Sequence, residues 1–152
     1  MKGRILFWPV ALALLLALIA QGQRLRHRLG ASVVLHQVER ASFQAARMGE
    51  SGAGVLRAAL PLLKQAAERD PTEVGIPIAI GSVHLLLDSP QAAIEAYRRA
   101  LALEPRPEAY LNLGRAQLRA GDAAGARASF TTAIKLDANL EPQVPEALRP
   151  GS

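Results

Sequence analysis

The chain has 152 residues, of which 50% are hydrophobic, 20% charged and 4% aromatic, and none is cysteine. A chain of this length holds one modest domain with an appendage, which excludes a large multidomain enzyme. The absence of cysteine excludes disulfides, thiolate metal sites and thiol nucleophiles, so the fold depends on packing alone.

The basic residues are concentrated at the N-terminus. The formal net charge is +5 and the isoelectric point is near 10.4, values that would suit a nucleic-acid-binding protein. However, the first 30 residues hold five Lys or Arg side chains and no acidic one, whereas the remaining 122 residues carry 13 basic and 13 acidic side chains. Because phosphate binding needs several clustered cations on the folded surface, we predict that nucleic acid is not a partner.

The segment between these basic residues has the composition of a membrane span. Residues 5–23 contain no ionisable side chain, and as an α-helix they would extend roughly 28 Å, close to the hydrocarbon thickness of a bilayer. The sequence therefore predicts a membrane anchor over residues 1–29, with the lipid bilayer as its partner. A cleaved signal peptide is the alternative, because Ala20 and Gly22 have the spacing of a cleavage site.

The charges that flank the anchor are nearly balanced. Two basic side chains precede the apolar segment and three follow it, so the positive-inside rule favours neither orientation strongly. A very short basic start before an apolar run is typical of a signal-like segment, whose N-terminus stays in the cytoplasm. We therefore expect a single-pass protein of the cell (inner) membrane, with its C-terminal domain in the periplasm.

Beyond residue 30, apolar residues recur at intervals of three and four, which predicts an all-α structure. We predict six helices after the anchor, at about 32–48, 56–69, 75–87, 90–104, 107–121 and 123–136. Pro90 and Pro107 suit the first position of a helix, and Asp122 suits a helix cap. The run of Gly49, Gly52 and Gly54 is interpreted as a break between the first two helices.

Two of the predicted helices have an ambiguous sequence. Pro61 would cost about 3 kcal/mol inside the second helix, so that helix either begins near Leu60 or is kinked there. The third segment, 75–87, is almost wholly apolar and is also compatible with a buried strand. Its length and its helical neighbours favour a helix that is buried on more than one face.

The C-terminal half contains an internal repeat, since residues 74–105 align with residues 107–138 at a spacing of 33. Small residues recur where two antiparallel helices would cross, and one aromatic residue recurs on the face that meets the next hairpin. The predicted packing residues are Gly81, Ala93, Tyr97 and Ala100 in the first copy and Gly114, Ala126, Phe130 and Ala133 in the second. Hairpins of this kind hide their apolar faces by stacking.

These residues resemble the tetratricopeptide repeat, in which a leucine-glycine pair in the first helix precedes alanine, aromatic and alanine residues in the second. The last repeat carries nearly the whole pattern, including Leu113 and Gly114, although Ala138 replaces the closing proline. The middle repeat places Pro77 where the family favours a large aromatic residue. The resemblance implies an all-α fold, a short right-handed superhelix of antiparallel helix pairs, with two clear repeats and one degenerate copy.

The resemblance divides the chain beyond the anchor into three parts. Residues 30–73 form a linker helix and a degenerate hairpin, in which Arg47 stands where the glycine belongs. Residues 74–139 form the two clear repeats, and residues 140–152 form a tail whose prolines exclude a long helix. The apolar end of the last repeat is then either uncapped, which would allow a homo-oligomer or another partner to cover it, or covered by the tail folding back.

The resemblance also implies a concave groove lined by the first helices of successive repeats. Its lining would be Ile78, Ser82 and Leu85 from the middle repeat and Leu111, Asn112, Arg115 and Arg119 from the last. Asn112 stands where many family members bind a peptide backbone, whereas Ile78 and Ser82 replace part of the cationic set that holds a C-terminal carboxylate in some members. We expect the groove to bind a helix or extended segment of another envelope protein, with Arg115 fixing an acidic group. Alternatively, residues 32–48 fold across it and fill it.

No catalytic motif occurs in the sequence, so we predict neither an enzyme nor a cofactor. His27, His36 and His84 are separated and have no carboxylate at ligand spacing, so we predict no metal site. The sequence therefore predicts a membrane-anchored scaffold or adaptor of a bacterial envelope complex, acting as an assembly factor or a small accessory subunit. The alternatives are a secreted periplasmic chaperone with a cleaved signal peptide and a permanent structural subunit of a membrane complex.

Overall fold

The computed structural model describes residues 52–150 and, before them, Leu35, His36, Val38 and Arg40. The predicted anchor at residues 5–23 and most of the predicted first helix lie outside the described residues. Within the described part, no helix is long and apolar enough to cross a membrane. The same part contains α-helices and short 3₁₀ helices but no strand, so the all-α prediction is confirmed there.

Five α-helices follow one another along residues 52–150. They are α1 (Gly52–Arg69), α2 (Gly75–Leu86), α3 (Pro90–Leu103), α4 (Pro107–Arg119) and α5 (Ala123–Leu136). Helices α2 and α3 pack as one hairpin and α4 and α5 as another, while α1 packs on α2 and α3 packs on α4. Segment 75–87 is thus a helix and not a strand.

The helix ends are explained by local sequence signals. Pro90 and Pro107 are the first residues of α3 and α4, where a missing backbone N–H removes no helical hydrogen bond. Asp122 precedes α5, and its Oδ1 accepts a hydrogen bond from the backbone N–H of Gly125 at 2.8 Å. These three sequence predictions are confirmed.

The start of α1 differs from the sequence prediction. The helix runs continuously from Gly52 through Pro61 to Arg69, so it does not begin near Leu60, and Gly52 and Gly54 belong to it. Its buried residues Leu56, Ala59, Leu63 and Ala66 lie on both sides of the proline. Burial of this whole face against α2 outweighs the poor helix propensity of glycine and proline.

Three apolar clusters occur along the stack. The first joins α1 and α2 and includes Val38, Leu63, Ile76 and Val83. The second joins the α2–α3 hairpin to α4 and consists of Ala93, Tyr97, Leu113 and Ala116. Because each hairpin contributes to a cluster shared with its neighbour, the repeats are stabilised by stacking.

The third cluster includes the tail. Residues Ala138–Gln143 and Glu146–Leu148 form two short 3₁₀ helices, and Val144 between them is 2% exposed among Leu111, Ala126, Phe130 and Ala133. The tail therefore folds back over the last repeat, and the alternative of an uncapped last repeat is wrong. The prolines of the tail favour 3₁₀ turns over an α-helix. Val144 nevertheless packs against the apolar end of the last repeat.

Candidate protein-binding groove

The two hairpins are closed by the same contact between a glycine and an aromatic ring. A Cβ atom added to Gly81 would lie 2.6 Å from Cε1 of Tyr97, and one added to Gly114 would lie 2.6 Å from the ring of Phe130. Both rings are fully buried. Only glycine lets the first helix of each hairpin approach the second this closely.

The other predicted packing residues lie in the same interfaces. Ala93, Ala100, Ala126 and Ala133 are each 0% exposed, so their faces are closed to solvent. A larger side chain at any of them would push the paired helices apart. The tight hairpins fix the first helices, α2 and α4, and so determine where the groove residues lie.

One hydrogen bond connects α2 to α4 on the groove side. Arg119 of α4 donates through Nη1 to the backbone carbonyl of Leu85 in α2, at 2.7 Å. Ser82 of α2 donates to the carbonyl of Ile78, and its Oγ lies 3.1 Å from the hydroxyl of Tyr97. The Arg119 contact therefore joins predicted groove residues of the two repeats, while Ser82 links α2 to α3.

Arg115 is held by two neutral amide groups. Its Nη1 donates to Oδ1 of Asn112 at 3.0 Å, and its Nη2 donates to Oε1 of Gln143 in the tail at 3.2 Å. Burial raises the pKa of the Tyr97 hydroxyl, while its hydrogen bond with Ser82 and the charge of Arg115 act in the opposite direction. Within the described residues, the groove thus offers a guanidinium whose acceptors carry no negative charge, whereas Tyr97 is fully buried.

The apolar groove residues are not equally accessible. Ile78 and Leu85 are half-buried and pack against the cluster of Tyr97 and Leu113. Leu111 is only 3% exposed, because it packs with Val144 of the tail. The structure therefore departs from the expectation at Leu111, which supports the tail and leaves little surface for a partner.

Sequence reasoning missed Gln143, whose side chain lies at the end of the groove. It sits in a proline-rich segment without helical periodicity, so no sequence signal linked it to Arg115. Residues 32–48, which were expected either to leave the groove open or to fill it, lie mostly outside the described residues. Of these, Leu35 and Val38 pack against the cluster of α1 and α2.

A second concavity lies on another side of α2. It has a volume of about 410 Å³ and is bounded by α1, α2 and α3, with an apolar floor that includes Ile80 and Ala96. Its charged rim is balanced, since Lys64 and Arg99 accompany Glu68 and Glu95. Burial, followed by the charge of Lys64, lowers the pKa of His84, which lines the cleft.

Within the residues that the structure describes, no three His, Asp or Glu side chains are grouped in a way that could hold a metal ion. The groove described above contains hydroxyl, amide and guanidinium groups beside two aliphatic side chains. These groups are suited to hydrogen bonding and apolar contact with another polypeptide. The stacked antiparallel helix pairs define the class as a helical repeat protein.

The comparison with protein families agrees with this class. The model of the tetratricopeptide repeat family matches residues 78–107 and 107–140. The first match covers most of the α2–α3 hairpin and the second covers the α4–α5 hairpin. These two matches support a protein of the tetratricopeptide repeat family, and such repeats suggest a scaffold for protein–protein interaction. A comparison with curated proteins gives no match.

Proposed function

We propose that this protein is a membrane-anchored scaffold that holds another envelope protein in the groove between α2 and α4. The observation that carries the proposal is the hydrogen bond from Arg119 to the carbonyl of Leu85, which joins the first helices of two stacked repeats. That contact makes one surface from residues of both repeats. A surface that spans two repeats can bind a segment longer than a single side chain.

The groove favours a partner segment with an apolar side chain followed by an acidic group. Ile78 and Leu85 supply half-buried aliphatic surface, from which a bound apolar side chain would exclude water. Among the described residues, the acceptors of Arg115 are the amide oxygens of Asn112 and Gln143. A carboxylate would replace one of them with a stronger, charge-assisted hydrogen bond.

We further propose that residues 5–23 anchor the protein in the cell (inner) membrane by a single pass, with the repeats in the periplasm. Support comes from the absence of ionisable side chains in this segment and from the basic residues on both sides. In this position the repeats would act beside the membrane as an assembly factor or accessory subunit of an envelope complex.

The groove is tested by co-purification from native membranes in mild detergent. Leu85→Asp places a charge on the aliphatic surface, and Arg115→Glu reverses the charge that would hold an acidic group. We expect each variant to lose a partner that the unchanged protein retains. Leu103→Asp is the matched control, because Leu103 is 46% exposed at the end of α3 and outside the groove. An identical set of partners for all variants, with intact folds, would contradict the groove.

The anchor is tested by the intact mass of the protein isolated from membranes. We expect a mass that includes residues 1–29 and a protein that stays with the membrane in alkaline carbonate. A mature chain that begins after Gly22 would instead support the secreted chaperone. Companions in fixed stoichiometry that separate only on denaturation would support the permanent structural subunit.

A further inference from the structure

The tail covers a defined surface of the last repeat, which we call the end face: Leu111, Ala126, Phe130 and Ala133. Val144 is inserted among these four residues and is 2% exposed. Leu140 and Leu148, on either side of it in sequence, are partly buried against the same cluster. The tail thus lies on the end face as a bound peptide would, with one aliphatic side chain at the centre.

The polar contacts between the tail and the helices lie at the margin of the end face. Arg115 donates to Oε1 of Gln143 at 3.2 Å, and Arg127 donates through Nη2 to the carbonyl of Ala147 at 2.9 Å. Both hydrogen bonds are exposed. Each therefore competes with water and stabilises the docked tail only modestly.

The backbone of the tail is hydrogen-bonded to itself. Within the described residues, the N–H of Val144 donates to the carbonyl of Glu141, and that of Leu148 donates to the carbonyl of Pro145. Leu140 donates to Asp137, the residue that ends α5. Lifting the tail away from the end face therefore breaks none of these backbone bonds, and the main loss is the apolar contact made by Val144, Leu140 and Leu148.

We propose that the end face is a peptide-binding surface whose resident ligand is the chain's own tail, and that a partner segment binds there by displacing it. The segment that fits has the chemistry of residues 142–145: an aliphatic side chain between two prolines, with a following carbonyl for Arg127. Proline restricts the backbone of such a segment and lowers the entropy lost on binding. This proposal does not depend on the groove, with which it shares Leu111 and Arg115 at one edge.

The probe is a fluorescent synthetic peptide of residues 138–150, added to the full chain. Val144→Asp in the chain places a charge in the apolar contact and releases the resident tail. We expect this variant to bind the peptide at least about tenfold more tightly than the unchanged protein, because apparent affinity scales with the fraction of open surface. Glu146→Ala, an exposed position in the same tail, should bind as weakly as the unchanged protein.

Two gentler variants show whether the effect comes from tail release. Gln143→Ala removes the exposed contact with Arg115, and Val144→Ala shortens the central side chain; neither alters α1 to α5. Each should increase peptide binding with unchanged helix content by circular dichroism. A peptide that itself carries Val144→Asp should bind no variant.

The outcomes separate this proposal from the groove. Leu85→Asp should leave peptide binding unchanged, since Leu85 lies outside the end face. The proposal is wrong if the peptide binds none of the folded variants, or if it binds them and the unchanged protein equally. Partner loss caused by Leu85→Asp would be consistent with the groove in either case.

Discussion

The middle repeat, α2–α3, and the last repeat, α4–α5, share their packing contacts but differ in their turns. Each turn contains one residue in the left-handed region: Asp88, with a φ of 54°, and Gly121, with a φ of 84°. Gly121 adopts this conformation without strain, whereas Asp88 carries a Cβ. The turn of the middle repeat is thus made from a less favourable residue, and that repeat has a helix packed on each side to hold it.

The two repeats also differ in the polar side chains between their paired helices. In the last repeat the hydroxyl of Ser129 donates to Oε1 of Gln117 at 2.6 Å, and both residues are 7% exposed. The equivalent residues of the middle repeat are Ala96 and His84, which line the 410 Å³ cleft. In the last repeat, two buried polar side chains therefore hydrogen-bond to each other between the paired helices. In the middle repeat, the equivalent positions border the cleft beside α1. The last repeat, which only the short tail covers in the described residues, thus has the more favourable turn residue and a buried side-chain hydrogen bond that the middle repeat lacks.

Phe130→Ala should destabilise the last repeat most. This fully buried ring packs against Gly114 and also belongs to the cluster that the tail covers. We expect a loss of about 3–5 kcal/mol in the free energy of unfolding. Urea denaturation measures it, with Leu136→Ala as the control at a position that is 51% exposed. Equal effects of the two variants would show that Phe130 is not a core residue.

Gly81→Ala and Gly114→Ala test the closing contact in both repeats. In each case the new methyl group would meet an aromatic ring at 2.6 Å, so we expect a loss of about 1–3 kcal/mol. Gly54→Ala is the matched control in α1, where no atom lies within 4 Å and alanine favours the helix. Thermal denaturation should show the two repeat variants melting earlier and the control melting at the same temperature or later.

Exchanging the turn residues tests the difference between the repeats directly. Gly121→Asp should destabilise by about 1–2 kcal/mol, because a Cβ is disfavoured in the left-handed region. Asp88→Gly relieves that strain but adds freedom to the unfolded chain, so we expect a gain of at most about 0.5 kcal/mol. Urea denaturation measures the free energy of unfolding of both variants. Two changes of the same sign would contradict the comparison.

The residues that precede α3 and α5 should differ in how much they stabilise their helices, as the two turn residues do. Asp122→Ala removes the hydrogen bond to the N–H of Gly125 and should cost about 1 kcal/mol. Ser89, at the equivalent position before α3, makes no side-chain cap bond, so Ser89→Ala should cost less than about 0.5 kcal/mol. A larger loss at Ser89 than at Asp122, in matched chemical denaturation, would reverse the predicted order.

The smallest effect concerns the pH dependence of the middle repeat. Burial lowers the folded-state pKa of His84, with a further contribution from Lys64. A lowered pKa contributes stability that is present above the unfolded value, about 6.5, and is lost as the pH falls through the folded value. His84→Gln, which installs the residue found at the equivalent position 117, should reduce this loss between pH 7 and pH 5. An unchanged pH profile of the melting temperature would contradict the assignment.

Local signals were sufficient to predict most of the helices. Prolines at the start of α3 and α4 and the cap at Asp122 act within one turn of the chain, so they are visible in sequence. The beginning of α1 was not predictable in this way. Gly52 and Gly54 have poor helix propensity, and only the tertiary burial of Leu56 and its neighbours makes them helical.

The sequence predicted which residues would line the candidate groove, but it did not predict how accessible each of them is. The repeat spacing places Leu111 and Arg115 on the same side of α4, one turn apart. It contains no information on the tail, which buries Leu111 under Val144 and brings Gln143 to Arg115. The tail is short and irregular, so its apolar residues do not recur at a regular interval. Its contacts therefore cannot be predicted from periodicity.

The central claim, that the groove between α2 and α4 holds a protein partner, is tested most directly by site-specific photo-crosslinking in living cells. A photoreactive amino acid replaces Asn112 in the groove or Arg99 at the cleft on the other side of α2. The account predicts one strong crosslinked partner from position 112 that is absent from position 99. No crosslink from position 112, or the same products from both positions, would contradict it.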